Sequence, residues 1–198
     1  MLASGIAPAG STTGGTSGAS RKYTVPAILH VPTNTYMMDS VPIAQFLEST
    51  YPNPPVPLTS ELGYEIEAKA RAVVGRAFVP LVMSREIHIL SPRAQEYFRR
   101  TREASLGHPL EDLLTAEKQD RAWETADEGM RAIGELMQTN KAGGPFVLGA
   151  SPSITDFFVV GSLESARLVD EDVFKRLVEY WGCNEVYQAC LPYMEKRN

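Results

Sequence analysis

The sequence predicts an α+β protein that is predominantly helical, with a β-hairpin and one helix ahead of a longer all-α region. Two short apolar runs that contain β-forming residues and are separated by turn residues lie within residues 23–38. Beyond residue 60, apolar residues recur at the three- and four-residue spacing of helices. A segment with four prolines in eight residues, 51–58, separates the two patterns. The proline-rich segment is therefore the predicted boundary between two domains.

The hairpin is predicted from its apolar runs and its turn residues. Tyr23–His30 and Thr35–Met38 are the two predicted strands, and Pro32-Thr33-Asn34 between them is typical of a turn. Tyr23 to Met38 is therefore expected to form an antiparallel pair.

A helix is predicted directly after the hairpin, over about Val41 to Ser49. Ser40 is the predicted N-cap, and Pro42 falls in the first turn, where its missing N–H does little harm. Ile43, Ala44, Phe46 and Leu47 then form one apolar face.

Four segments follow from these patterns. Residues 1–20 are small and almost uncharged, which predicts a disordered leader. Residues 21–50 form the first domain. Residues 51–59 form an extended linker, because its prolines lack the N–H groups that a helix or sheet needs. Residues 60–198 form the helical domain.

Helices are expected throughout the last segment. One covers Leu62 to Leu81 with a kink at Pro80, a charged one covers Pro92 to Ala104, and a long one contains Trp123 to Met137 and is broken by Gly143-Gly144-Pro145. A last helical region covers Glu171 to Lys196, interrupted near Gly182 and Pro192.

Ser153-Ile154-Thr155-Asp156 has the pattern of a capping box. The Ser153 hydroxyl can accept from the amide of Asp156, and the Asp156 carboxylate can accept from the amide of Ser153. The residues after the box are apolar nearly all round, which predicts a helix at the centre of the helical domain.

Composition excludes several classes of function. The 198 residues carry a formal charge of −5 and no long basic run, which argues against nucleic-acid binding. No apolar stretch approaches the roughly 20 residues that cross a membrane, so a cytoplasmic protein is expected. The two cysteines, Cys183 and Cys190, are interpreted as buried thiols in one helix rather than a redox pair.

Taken together, these motifs resemble the glutathione S-transferase superfamily. The resemblance is carried by Val25-Pro26 before a hairpin, Asp39-Ser40 at a helix start, the proline-rich linker and the Ser153 capping box. Within that superfamily, Ala44–Pro52 and Glu96–Thr101 are similar to a fungal branch with etherase-like enzymes and proteins of secondary-metabolite clusters. The implied fold is a partial thioredoxin-like domain followed by an all-α glutathione-transferase C-terminal domain.

The resemblance also implies a glutathione-binding site. Pro26 is expected to follow a cis peptide, so that the backbone of Val25 pairs with the cysteinyl part of glutathione. Ser40, at a helix N-terminus, is expected to bind the γ-glutamyl carboxylate, and Asp39 the ammonium group. By residue type alone, Asp39-Ser40 is better explained by a helix cap and Val25-Pro26 by a strand entry. Their joint occurrence with the other motifs favours the site instead.

No catalytic residue is predicted in this chain. In the family, the catalytic hydroxyl or thiol belongs to a strand–helix–strand unit, and residues 1–20 have neither the pattern nor the length for one. The three histidines show no metal-ligand spacing, so no metal site is predicted. Arg76, Phe78, Met83, Tyr97 and Phe98 are candidates for a second-substrate pocket, although aromatic and Met positions at helical spacing are more often core.

Two functions remain open. The first is a transferase that conjugates glutathione to a small electrophile or cleaves an activated ether, which predicts further N-terminal sequence in the gene. The second is a non-catalytic glutathione-transferase-like binding or assembly module, which predicts that the hairpin edge pairs with a partner or a second copy. On either interpretation a homodimer is implied by the resemblance, and weak or no glutathione binding is expected.

Overall fold

The protein, seen in a computed structural model, is described over residues 25–58 and 60–195, apart from the side-chain surroundings of positions 74 and 75. It divides into two compact units, Met1–Leu58 and Thr59–Asn198, so the division falls at the end of the proline-rich segment. The predicted leader, residues 1–20, lies outside the described residues, as do Tyr23 and Lys196.

The first unit contains the predicted hairpin. Strands β1 (Ala27–His30) and β2 (Thr35–Met38) pair antiparallel. Between them, Val31–Thr33 form a 3-10 turn, and Asn34 takes the left-handed conformation that asparagine tolerates. The first strand begins later than predicted, because Pro26 has no N–H to contribute to a ladder.

Helix α1 (Ser40–Thr50) follows the hairpin. The prediction that Ser40 is the N-cap is wrong: Ser40 is the first helical residue, and Asp39 occupies the cap position without a side-chain capping bond. Near the other end of α1, both carboxylate oxygens of Glu48 accept from the amide of Val56 at 3.1 Å. The proline-rich segment is thus tied to the first unit by one of its few amide donors.

The second unit is built from helices. They are α2 (Glu61–Val73), α3 (Val79–Leu81), α4 (Pro92–Leu106), α5 (Ala116–Met137), α6 (Ile154–Val169), α7 (Glu171–Val178) and α8 (Cys183–Met194). In the described part of the chain, no helix is both long and apolar enough to span a bilayer.

Three helix boundaries differ from the prediction. The first helix changes to a π-helical turn, Val74–Phe78, before reaching Pro80. The long helix ends at Met137, ahead of the glycines, because the amides of Gln138 and Thr139 turn back to carbonyls three residues earlier. Pro192 does not interrupt α8; it lies inside the helix, in its last turn, and the helix ends two residues later at Met194.

The main core lies among α2, α5, α6 and α8. Its fully buried side chains include Ile66, Val160, Val186 and Cys190. A smaller core lies beside it around Met83, Ile87, Phe98, Leu110 and Leu113. Met83 and Phe98 are thereby explained as core residues, whereas Tyr97 and Arg76 are exposed.

The capping box at the start of α6 is present. The Asp156 carboxylate is fully buried and accepts three hydrogen bonds: from the amide of Val147 at 2.8 Å, from the amide of Ser153 at 2.8 Å and from the Ser153 hydroxyl at 2.6 Å. The box therefore joins α6 to the loop that precedes it.

Arg85 is the centre of a second polar network. Its guanidinium donates to the carbonyls of Pro80 and Leu81 at 3.1 and 2.8 Å and to the amide oxygen of Gln119 at 2.9 Å. It also pairs with Asp170 at 2.7 Å. The Arg85 side chain thus donates to two carbonyls at the end of α3. It also links α3 to α5 and to the start of α7.

Both cysteines are free and buried in α8, as interpreted from the sequence. Burial raises the pKa of Cys183 to about 12 and that of Cys190 to about 11. In the folded protein we therefore expect both thiols to resist iodoacetamide at mildly alkaline pH and to react fully in denaturant, as read by intact mass.

The same thiols give a pH dependence of stability. Because the unfolded thiols ionise near pH ~8.5 and the folded ones do not, the free energy of unfolding should fall as pH rises from there toward about 12. The Cys183→Ala variant is expected to show a shallower fall; an equal slope would contradict this assignment.

Candidate functional site

The structure brings the two sequence-predicted pairs together at one end of the hairpin. The register pairs Ala27 with Met38, so the residues just before β1 meet those just after β2. The amide of Asp39 donates to the carbonyl of Pro26 at 3.0 Å. The Val25–Pro26 peptide bond is cis, as the resemblance implies.

Asp39 is held in an unusual backbone conformation. Its φ of 78° and ψ of 137° lie in a region that residues with a side chain rarely adopt. Within the described residues, neither its carboxylate nor the Ser40 hydroxyl has a hydrogen-bond partner, and both residues are exposed. Strain of this kind concentrates at functional sites, where other interactions over-determine it.

The first turn of α1 adds backbone donors to the site. The amide of Ile43 donates to the carbonyl of Asp39, and Pro42 has no N–H. The amides of Ser40 and Val41, by contrast, have no carbonyl acceptor inside the helix. An anion can therefore be bound by two amides, a hydroxyl and the positive end of an 11-residue helix.

The helix N-terminus with Ser40 and the Asp39 carboxylate attract ligand groups of opposite charge. Ser40 and the helix end attract a carboxylate, and the Asp39 carboxylate beside them attracts an ammonium group. The arrangement suits an α-amino acid zwitterion. The sequence pointed to both residue types, but the positive φ of Asp39 has no sequence signal of its own, because glycine or asparagine is the usual residue there.

Replacing Asp39 by glycine tests the strain directly. Because glycine adopts positive φ without steric cost, Asp39→Gly is expected to raise the free energy of unfolding of the first unit by about 1 kcal/mol. Ser40→Gly, one residue further into the helix, should lower it by a similar amount. Urea unfolding followed by NMR of the first unit measures both; a loss of stability in Asp39→Gly would mean that the conformation carries no strain.

His30 lies at the opposite end of the hairpin and has a structural role. It pairs with Thr35 beside the turn. One ring nitrogen is 2.6 Å from the Thr33 hydroxyl and the other is 2.8 Å from the Tyr51 hydroxyl, while the ring packs edge-on against Phe46. Both nitrogens are thus engaged within the first unit. Among the described residues, no cluster of three His, Cys, Asp or Glu side chains could hold a metal ion.

Comparison with known proteins places the chain in a family. Residues 66–182 match the family described as "Glutathione S-transferase, C-terminal domain". The chain is 30% identical over 184 residues to the glutathione S-transferase-like protein ustS of Aspergillus flavus, a match that covers 80% of this chain and 62% of that protein. The chain thus spans less than two thirds of this curated relative.

Two fungal crystal structures share the fold. A glutathione transferase of Phanerochaete chrysosporium, GSTFuA3, superposes with a TM-score of 0.76 and 26% identity over 90% of this chain and 74% of that one. A glutathione S-transferase of Ceriporiopsis subvermispora, solved in complex with glutathione, gives a TM-score of 0.77 and 28% identity over 89% of this chain and 74% of that one. With a hairpin and helix ahead of a helical unit that matches the family domain, the chain belongs to the glutathione S-transferase family.

Proposed function

We propose that the chain binds the γ-glutamyl end of glutathione at Asp39 and Ser40 and takes part in glutathione transfer to a small electrophile. The observation that carries the proposal is the exposed Asp39 carboxylate beside the uncapped N-terminus of α1. Two further facts support it: the chain belongs to the family, and a relative of the same fold was solved with glutathione.

Each part of the γ-glutamyl group has a chemical counterpart in the site. Its α-carboxylate matches the Ser40 hydroxyl and the amides of Ser40 and Val41, which are aligned with the helix dipole. Its ammonium group matches the Asp39 carboxylate. The cysteinyl part, which carries the thiol, would extend toward the backbone of Val25, which precedes the cis-proline.

The transfer step itself requires the thiolate form of glutathione. The sulfur of glutathione attacks an electrophilic carbon, the leaving group departs with its electron pair, and the thiol proton passes to solvent. A nearby donor speeds this step by lowering the thiol pKa. We assign that role to no described residue: both cysteines are buried in α8, and Ser40 is committed to the γ-glutamyl side.

Titration with glutathione tests the binding site, with the amide shifts of Ser40 and Val41 as the NMR readout. We expect saturable shifts and a Ser40→Ala variant that binds about tenfold more weakly, because a hydrogen bond to a charged group contributes roughly 1.5–3 kcal/mol. Ser49→Ala is the matched control, since Ser49 lies at the other end of α1 and donates only to the carbonyl of Phe46. Absence of saturation, or equal losses in both variants, would refute the site.

A glutathione analogue without the γ-glutamyl ammonium group separates the role of Asp39 from that of Ser40. The analogue should bind the native chain more weakly than glutathione. In Asp39→Asn the difference between the two ligands should disappear. A constant difference would mean that Asp39 does not contact the ammonium.

The second candidate is a binding module without catalysis. It is favoured by one observation: Asp39 and Ser40 are exposed side by side, whereas both cysteine thiols are buried. Thioether formation from glutathione and an activated aryl halide decides between the two. A rate above the uncatalysed one, reduced in Ser40→Ala, supports the transferase; binding without rate enhancement supports the module.

A further inference from the structure

An apolar cavity of about 80 Å³ lies within the helical unit. Every residue that lines it belongs to that unit, so it is separate from the site at Asp39 and Ser40. Four alanines form much of its wall: Ala70 of α2, Ala77 of the π-helical turn, Ala126 of α5 and Ala166 of α6. The space therefore exists where small side chains from several different segments face one another.

The wall of the cavity has almost no polar group that could bind water. Ser162 is its one hydroxyl, and it already donates to the carbonyl of Phe158 at 3.0 Å. The Cys183 thiol, also on the wall, stays protonated because burial raises its pKa to about 12. A buried water needs two to four polar partners, so this wall has too few polar groups to hold an ordered water.

Close contacts at two glycines of α5 keep the cavity from collapsing. A Cβ on Gly129 of α5 would meet the Val73 side chain at 2.3 Å, and one on Gly134 would meet the Trp181 carbonyl at 2.7 Å. Helix α5 therefore cannot move closer to Val73 or to Trp181. The small alanine side chains do not lead to closer helix packing, because these neighbouring contacts set the distance between the helices.

The volume is large enough for a guest. One water-sized probe occupies roughly 10–15 Å³, and dry apolar cavities in proteins take up xenon or benzene. Ala77 and Phe78 of the π-helical turn line one wall, and such turns are frequent at functional sites. The cavity therefore combines a sufficient volume, an apolar wall and an irregular helical turn.

We propose that this cavity is a binding site for a compact apolar molecule, from a xenon atom up to a short hydrocarbon. Recognition is by dispersion contact and by transfer from water, with no hydrogen bond required. The proposal does not depend on glutathione binding.

Xenon is the probe, used with the full chain. We expect saturable binding in ¹²⁹Xe NMR and a rise in melting temperature under xenon pressure. Ala126→Leu should abolish the xenon signal and raise the melting temperature without xenon, because the added carbons fill the space. Ala122→Leu is the matched control: Ala122 is buried in the same helix but does not line the cavity. It should keep xenon binding and lower the melting temperature, because overpacking is destabilising.

Either of two results would overturn the proposal: no saturable xenon binding by the native chain, or xenon binding that is unchanged in Ala126→Leu. If Ala126→Leu does not fold, Ala166→Val takes its place on the facing helix, with a twofold or greater loss of xenon affinity expected. Unchanged affinity in that variant would also refute the site.

Discussion

Asp156→Ala is expected to lower the free energy of unfolding of the helical unit by about 3 kcal/mol or more. The carboxylate is fully buried and accepts from two amides and one hydroxyl. Its loss leaves buried donors without an acceptor, and each costs roughly 1–3 kcal/mol. Urea unfolding monitored by tryptophan fluorescence measures the change.

Ser153→Ala is the graded comparison for Asp156. It removes one hydroxyl and leaves the carboxylate with both amides, so a loss of about 1 kcal/mol is expected. Glutathione affinity should be unchanged in Asp156→Ala, since the box lies in the helical unit and the proposed site in the first unit. Equal effects of the two substitutions would mean that the carboxylate does not hold the loop at Val147.

Arg85→Met is the second large expected effect, with a loss of about 2–3 kcal/mol. Methionine keeps the packing of the stem, but it leaves the carbonyl of Leu81 without its guanidinium donor and Asp170 without its cation. The carbonyl of Pro80 keeps the Ser84 hydroxyl and the Gln119 amide as donors. Asp170 also caps α7 by accepting from the amides of Asp172 and Val173. The loss should therefore appear in the same urea transition as that of Asp156→Ala.

Two variants make the Arg85 prediction specific. Arg85→Lys should recover less than half of the loss, because an ammonium cannot reproduce a planar fork that reaches four acceptors. Arg99→Met removes a guanidinium that pairs with Glu103 and Glu111 on the surface, and the urea midpoint should hardly move, since exposed pairs are screened. A larger effect at Arg99 than at Arg85 would contradict the argument.

Local sequence signals predicted the fold class, and the family resemblance predicted the candidate site. The turn at Asn34, the helix after Asp39 and the capping box at Ser153 each depend on residues within four positions of one another. Short-range chemistry of this kind can be read from one sequence. The hairpin register then follows, and it brings Pro26 to Asp39.

Features that depend on residues far apart in the chain could not be predicted from the sequence. Arg85 contacts Gln119 and Asp170, 34 and 85 positions away, and no local pattern marks that meeting. The alanine-lined cavity likewise follows from how several helices pack. Pro80 did signal the disturbance in the first long helix: it has no N–H to donate to the carbonyl of Arg76, four residues earlier, and its ring crowds that carbonyl, which lies inside the π-helical turn Val74–Phe78.

The positive φ of Asp39 has an evolutionary consequence. While the side chain binds a ligand, selection keeps a residue that is unfavourable for the backbone; once binding no longer matters, glycine at this position is both tolerated and stabilising. Lineages that retain the ligand should therefore keep an acidic residue at position 39, and lineages that have lost it should drift toward glycine. A single position could thus distinguish binding members from purely structural ones across a genome survey.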